Sequence, residues 1–273
     1  MENQDKAKPG NNQVEINVPV MADLAAKGEK PEYLFWVGCA GSFDDRYKKV
    51  TRDLVKILEY LNISYAVLGN EESCTGDPAK RAGNEFVFQM QALGNIEIMN
   101  AYGVQKIITA CPHCFNIIAN EYPELGGKYE VIHHSQLLGN LIKEGKLKID
   151  DKEFLNKRIT FHDPCYLGRG NNEYDAPRKV LNQLQIELVE MTRHKSKALC
   201  CGAGGSQMFK EAEPGEKEIF TERTEEALKT NPDVISTACP FCMTMISDGI
   251  KIKDKEEVEV LDLAELIVRT LNL

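Results

Sequence analysis

Thr109-Ala110-Cys111-Pro112-His113-Cys114 and Thr237-Ala238-Cys239-Pro240-Phe241-Cys242 lie 128 positions apart and differ in a single place. The other cysteines keep nearly the same period. Cys39 to Cys165 and Cys74 to Cys200 are each 126 positions, and Cys74-Thr75-Gly76 matches Cys200-Cys201-Gly202. Four cysteines recurring in one order at one period mark a tandem duplication, and the period sets the fold before any single element does.

Each half alternates strand and helix patterns. In the first, Tyr33–Val37, Tyr65–Leu68, Val104–Thr109 and Tyr129–Ile132 read as strands. Between them lie helical spacings at Tyr47, Val50, Leu54, Ile57, Leu58 and Leu61, then Ala82–Ala101, Cys111–Asn120 and Leu137–Ile142. In the second, Arg158–His162, Ile186–Met191, Asp233–Thr237 and Val258–Leu261 are the expected strands. The expected helices lie near Pro177–Leu184, Lys217–Lys229, Phe241–Ser247 and Asp262–Leu271. Strict alternation implies α/β architecture: two similar tandem domains, each a small parallel sheet flanked by helices. The expected divisions are an N-terminal arm over 1–30, domains over 31–145 and 158–273, and the charged Glu144–Lys157 stretch as linker. The arm is expected on the surface or disordered.

The 273 residues are 42% apolar, which suffices for real cores. Net charge is −9 with no basic stripe, so nucleic acid is not an expected partner. No apolar run spans a membrane, and the polar N-terminus lacks a signal-peptide centre. A cytoplasmic location follows as the expectation. Nine cysteines, an odd number, in a reducing compartment point to metal or redox chemistry instead of disulfides.

Cys39 and Cys111 follow strands, as do their partners in the second half. Ligands of open parallel sheets bind beyond the carboxyl ends of strands, where helix N-termini favour anions. Iron–sulfur clusters are such anions, commonly held by four thiolates. The first half offers Cys39, Cys74, Cys111 and Cys114; the second offers Cys165, Cys200, Cys201, Cys239 and Cys242. Adjacent glycines, Gly38, Gly76, Gly202 and Gly205 among them, let backbone N–H groups approach sulfur.

The pattern Cys165…Cys200-Cys201-Gly202…Cys239-Pro240-Phe241-Cys242 resembles the duplicated cysteine-rich CCG domain found in heterodisulfide reductase and in the iron–sulfur subunits of glycolate and lactate oxidation systems. The resemblance covers roughly residues 33 to 270. It implies an electron-transfer subunit of a multi-subunit oxidoreductase carrying [4Fe-4S] clusters at two sites. In the heterodisulfide reductase branch it implies a noncubane cluster that uses all five cysteines of a site and reacts with a disulfide. Phe35–Ser42 and Glu72–Pro78 are most similar to the carboxyl-terminal part of larger iron–sulfur reductases. By implication a ferredoxin-like or flavoprotein subunit, in a complex that can be membrane-associated, supplies electrons. Thr75 stands where the full pattern has a second adjacent cysteine, which leaves four candidate ligands in the first site.

Two other classes compete. A zinc-stabilised binding module needs four thiolates, usually as two close pairs, and each half has one C-x-x-C. A cytosolic thiol–disulfide oxidoreductase would use Cys111-Pro112-His113-Cys114 at a helix start. His113 and His162 are candidates to donate a hydrogen bond to sulfur or move a proton; the alternative is a satisfied polar residue at a strand end. His133 and its counterpart Asp262 read as helix caps. His194 reads as surface and the acidic face Glu216–Glu226 as solvated; Arg81 and Arg169 follow cysteine loops and read either as counter-charges to a cluster or as ordinary surface arginines, the latter slightly favoured. No G-x-G-x-x-G follows a strand, so no dinucleotide is expected.

Overall fold

The computed structural model describes residues 17–149, 153–211 and 214–273. Its eight strands are β1 (Tyr33–Trp36), β2 (Tyr65–Ala66), β3 (Lys106–Thr109), β4 (Glu130–His133), β5 (Arg158–Phe161), β6 (Glu187–Leu188), β7 (Val234–Thr237) and β8 (Glu259–Asp262). They form two four-stranded sheets of order β2-β1-β3-β4 and β6-β5-β7-β8, parallel throughout. The duplication read from the cysteines is therefore one of whole sheets. The central strands are nearly or wholly buried, as expected of parallel sheets covered on both faces.

In each sheet the chain leaves the first strand to one side and returns on the other. The connections thus diverge between β1 and β3, and between β5 and β7. Crevices open at such switch points, beyond the carboxyl ends of the strands. Cys39 and Cys111 border the first crevice, and Cys165 and Cys239 the second.

Several elements differ in extent from the sequence reading. The helix expected over Ala82–Ala101 breaks at Gly83, whose φ is +83°. A short helix, Asp77–Arg81, precedes it, and Asn84 caps Glu85–Ala101 by accepting from Val87 N–H. The segment after Cys111 is helical over Pro112–Asn116 and then widens into a π-turn, Ile117–Glu121. Pro240–Ile252 runs beyond the expected Ser247. Residues 1–16 of the expected arm lie outside the described residues. From residue 17 the chain joins the first sheet's edge: Val20 bridges Val67, and Met21 is buried at the head of the helix Met21–Ala26. The charged linker is anchored by Leu147 and Phe154, both buried in a core common to the two halves.

That common core arises because the halves exchange helices. Asp45–Tyr60, which follows β1, packs on Leu263–Leu271, which follows β8. His134–Lys143, which follows β4, packs on Asp175–Gln183, which follows β5. Polar contacts repeat the relation. His133 and Asp262 each cap the next helix in a capping box. Their partners at the third helical position reach across: Glu265 takes both Arg46 Nη atoms at 2.9 and 2.7 Å, and Gln136 donates to Glu173 at 2.9 Å. Asp262 also accepts from the fully buried His134 Nε2 at 2.9 Å. Asp262→Ala therefore removes a cap and leaves a buried imidazole unpaired, which together cost roughly 2–4 kcal/mol. Urea unfolding should show that loss, and Asp262→Asn, which keeps the capping oxygen, should recover most of it.

Candidate functional site

The turn after β1 sets the first site. Gly38 has φ +76°, a conformation that favours glycine, and a Cβ there would press on Cys114 Sγ at 3.2 Å. Glu72 holds this turn by accepting from Gly38 N–H at 2.6 Å and Val37 N–H at 3.0 Å. Burial raises the Glu72 carboxyl to about 7 against the pull of those two bonds. Cys39 follows in the helix Gly38–Phe43, Cys74 precedes Gly76 (φ +89°), and Cys111 sits at the N-cap of Pro112–Asn116. All four sulfur residues of this half line one pocket with Thr75, Asp77, His113 and, from the other half, Phe241. Thr75 is buried with its hydroxyl 4.0 Å from Cys114 Sγ, occupying the place that Cys201 holds in the repeat.

The second site brings its five sulfurs together in the same way. Cys242 donates to Cys201 Sγ at 3.3 Å, and Gly202 N–H donates to Cys200 Sγ at 3.3 Å. Cys200 also takes hydrogen bonds from Cys165 and Cys201, which lower its pKa steeply, while Cys165 keeps the proton and is raised. Cys74 falls to about 6 by accepting from Cys39 against burial, and Cys39 rises correspondingly. Burial alone would raise Cys239, yet bonds from Cys242 and His113 bring it to about 5. All nine cysteines are free thiols. Hydrogen bonds between neighbouring sulfurs link their ionisations, and a cation or cluster can take the place of the protons they hold.

The two sites have a common wall. His113, the second x of its C-x-x-C, crosses to hydrogen-bond Cys239, while its counterpart Phe241 lines the first pocket. The two rings meet edge to face at 4.9 Å, and Tyr166 stacks on His113 at 4.1 Å. His113 Nδ1 is 2.8 Å from Asp77 Oδ2. Despite burial, Asp77 and Cys239 hold this imidazole up at about 10. The ring thus stands between the two thiol groups, with Asp77 and Cys239 favouring its protonated form.

His162, the other candidate imidazole, is fully buried; its Nδ1 accepts from Arg223 Nε at 2.9 Å, and burial and that guanidinium lower it to about 3. Arg81 pairs with Asp77 at 3.0 Å and with Glu121. Arg169 donates to the Ala198 carbonyl, and His194 Nδ1 lies 2.8 Å from the Met191 carbonyl. The acidic 216–226 face is not wholly solvated. The helix Ile219–Leu228 buries Arg223, Thr224 and Glu226, because Arg223 Nη1 and Arg193 N–H satisfy the Glu226 carboxylate at 2.8 and 2.7 Å.

Glu72, Asp163, Arg178 and Arg223 escape sequence reasoning. Glu72 stands within the Glu72–Pro78 motif, but nothing in its spacing shows a backbone partner at position 38. Arg178 grips Asp163 with two bonds, at 2.7 and 2.9 Å, and Glu190 with two more, at 2.6 and 2.9 Å. Asp163 also accepts from Lys195 N–H at 2.7 Å, so one arginine fixes both loops that carry Cys165 and Cys200.

Two crevices with thiol clusters at equivalent switch points define a duplicated, cysteine-rich α/β protein. The cysteine-rich domain (CCG) matches the chain twice, over residues 33–119 and 159–247, and the chain belongs to that family. Among relatives, the probable iron-sulfur-binding oxidoreductase FadF of Bacillus subtilis is 44% identical over 258 residues, 94% of this chain and 36% of its own length. The EtfAB:quinone oxidoreductase of Syntrophomonas wolfei is 44% identical over 256 residues, with 91% and 36% covered. One subunit of the dihydromethanophenazine:CoB–CoM heterodisulfide reductase of Methanosarcina barkeri is 36% identical over 253 residues, 90% of this chain and 60% of that one. The chain thus spans little more than a third of the length of the first two. Among solved structures, glutamate racemase RacE1 of Bacillus anthracis superposes over 88% of this chain and 79% of that one, at 15% identity and a TM-score of 0.36, too distant to carry an argument.

Asp163 sits below the ordinary carboxylate range: burial would raise it, and Arg178 more than reverses this. Its contribution to stability is complete above about pH 4 and is lost as pH falls through the lower folded value. Arg178→Met strands the carboxylate and should cost about 3–5 kcal/mol at neutral pH. Without Arg178, burial outweighs the remaining bond from Lys195 N–H, and the variant's Asp163 is raised. The deficit should therefore be larger at about pH 8 than at about pH 5, as read from urea midpoints at both.

Proposed function

We propose that this chain is the cluster-carrying, electron-transfer part of a multi-component oxidoreductase. Cys39, Cys74, Cys111 and Cys114 hold one [4Fe-4S] cluster, and Cys165, Cys200, Cys201, Cys239 and Cys242 hold the second. The observation that carries this reading is the assembly of four thiols at one switch point and five at the other, with hydrogen bonds between neighbours, back to back across His113 and Phe241. The donor set fits the group: thiolates, flanking glycine turns, and inward N–H donors. When bound, such clusters accept and release single electrons. The chain's own residues hold the sulfurs at fixed spacing, exclude water around Cys111, Cys114, Cys239 and Cys242, and offset negative charge through His113.

Burial of both C-x-x-C pairs argues against thioredoxin-like exchange, which needs an accessible sulfur at the helix start. Five thiols in one site exceed what structural zinc requires. The relatives named as an iron-sulfur-binding oxidoreductase and an EtfAB:quinone oxidoreductase favour a relay between a flavoprotein or ferredoxin-like component and a further acceptor. The heterodisulfide reductase relative supports a second reading, with the five-thiol site holding a noncubane cluster that cleaves a disulfide. Among the described residues no helix is long and apolar enough to cross a membrane. We place the chain in the cytoplasm, where nine thiols stay reduced, and divide it as an arm over 1–30 and domains over 31–145 and 158–273.

Anaerobically purified protein should contain about eight irons and matching acid-labile sulfide per chain, four for each cluster. Two reduced-state EPR signals should accompany them. Cys201→Ala, which removes a buried sulfur 3.3 Å from Cys242, should change only the second signal. Zinc without sulfide, in protein made with a working cluster-assembly system, would sink the proposal.

A further inference from the structure

The residue three places before the first cysteine of each half is Trp36 in one and His162 in the other. Trp36 ends β1 and His162 directly follows β5, each beside its switch point, and both are fully buried. Each carries a ring nitrogen that is buried without a hydrogen-bond partner: Trp36 Nε1 and His162 Nε2. A buried, unpaired donor is costly and rare, so two at equivalent positions need an explanation.

The indole N–H can only donate. Imidazole could do either, but Arg223 removes the choice. A guanidinium has no acceptor, so its bond from Nε to His162 Nδ1 requires the lone pair on Nδ1 and leaves the hydrogen on Nε2. Arg223 is itself fixed by the Arg193 carbonyl and Glu226 at 2.9 and 2.8 Å. At the 128-position shift that aligns the C-x-x-C pairs, Arg223 corresponds to Asn95, which instead binds the Cys74 carbonyl at 3.0 Å. The first half has no lock because tryptophan needs none.

Thiol sulfurs lie near both rings, though neither nitrogen hydrogen-bonds to one of them. A ring nitrogen of His162 and the sulfurs of Cys201 and Cys242 all lie within 4.8 Å of one another. Trp36 shares its packing cluster with Cys111 and Cys114. The trio of His162, Cys201 and Cys242 has the composition of a metal site, but ligation through Nε2 would require a hydrogen on Nδ1, and Arg223 faces that atom with its own.

We propose that Trp36 and His162 are a matched pair of ring N–H donors, one to the sulfurs of each site, that raise the reduction potential of the clusters held there, and that His162 is not a ligand. The proposal rests on the iron–sulfur reading above. A hydrogen bond to sulfur offsets negative charge and so favours the reduced state.

The test uses anaerobically purified holoprotein: wild type, Trp36→Phe, and His162→Phe combined with Arg223→Met so that no guanidinium is left unpaired. Redox titration followed by EPR should show each variant with wild-type iron and with one signal moved to lower potential, a different signal in each. Pulsed EPR of wild type with ¹⁵N-labelled histidine should show a weak nitrogen coupling and an exchangeable deuteron on the second signal, both lost in the histidine variant. An unmoved or raised potential in either variant, a strong coupling diagnostic of an iron–nitrogen bond, or loss of a cluster's iron would each overturn the proposal. If the double variant does not fold, Trp36→Phe and the wild-type coupling decide. Wild-type protein without iron and sulfide is a different failure, that of the proposed function itself.

Discussion

Thiols crowded within hydrogen-bonding reach of one another cannot all ionise, and they cannot all stay protonated without leaving acceptors unused. That constraint organises this molecule. In each site some sulfurs ionise more readily because neighbours that keep their protons donate to them, as Cys165 does to Cys200, Cys242 to Cys239 and Cys39 to Cys74. The surroundings answer the resulting charge with N–H groups: Gly202 on Cys200, Gly76 on Cys74 and the His113 ring on Cys239. Glu72 and Arg178 touch no sulfur, yet each fixes the loops on which sulfurs stand.

Duplication supplied two copies of one crevice, and the copies have since diverged at the positions that face the sulfurs. Thr75 stands against Cys201, Phe241 against His113, and Trp36 against His162. The first two changes alter what the side chain can donate, while Trp36 and His162 each keep a ring N–H. The arrangement across the shared wall makes these changes mutual, since His113 serves the second site and Phe241 closes the first. Neither half would have a complete site alone.

The helix exchange gives the same interdependence to stability. Asp262 ends β8, caps Leu263–Leu271 and pairs with His134 of the other half. Glu265 is wholly buried yet receives Arg46 and Lys49 from the first domain. Buried carboxylates of this kind are tolerated only when paired, so the two domains hold each other in register and thereby fix the distance between their thiol groups.

The duplication, the alternation of strand and helix, the caps at His133 and Asp262, and the grouping of four and five cysteines are all legible in the sequence. They rest on local periods, on chain spacing and on the repeat itself. Arg223 reads as part of a solvated acidic face because helical spacing cannot tell which face another element covers; its burial follows from Glu226 and the Arg193 backbone, some thirty positions back in the chain. The break at Gly83 is hidden because a helix pattern continues on both sides of it. That His113 reaches Cys239, that the halves trade helices, and that an arginine dictates which nitrogen of His162 carries hydrogen were decided by tertiary packing alone. Such contacts join residues far apart in the chain, and their geometry depends on the twist and docking of two sheets, which no local pattern encodes.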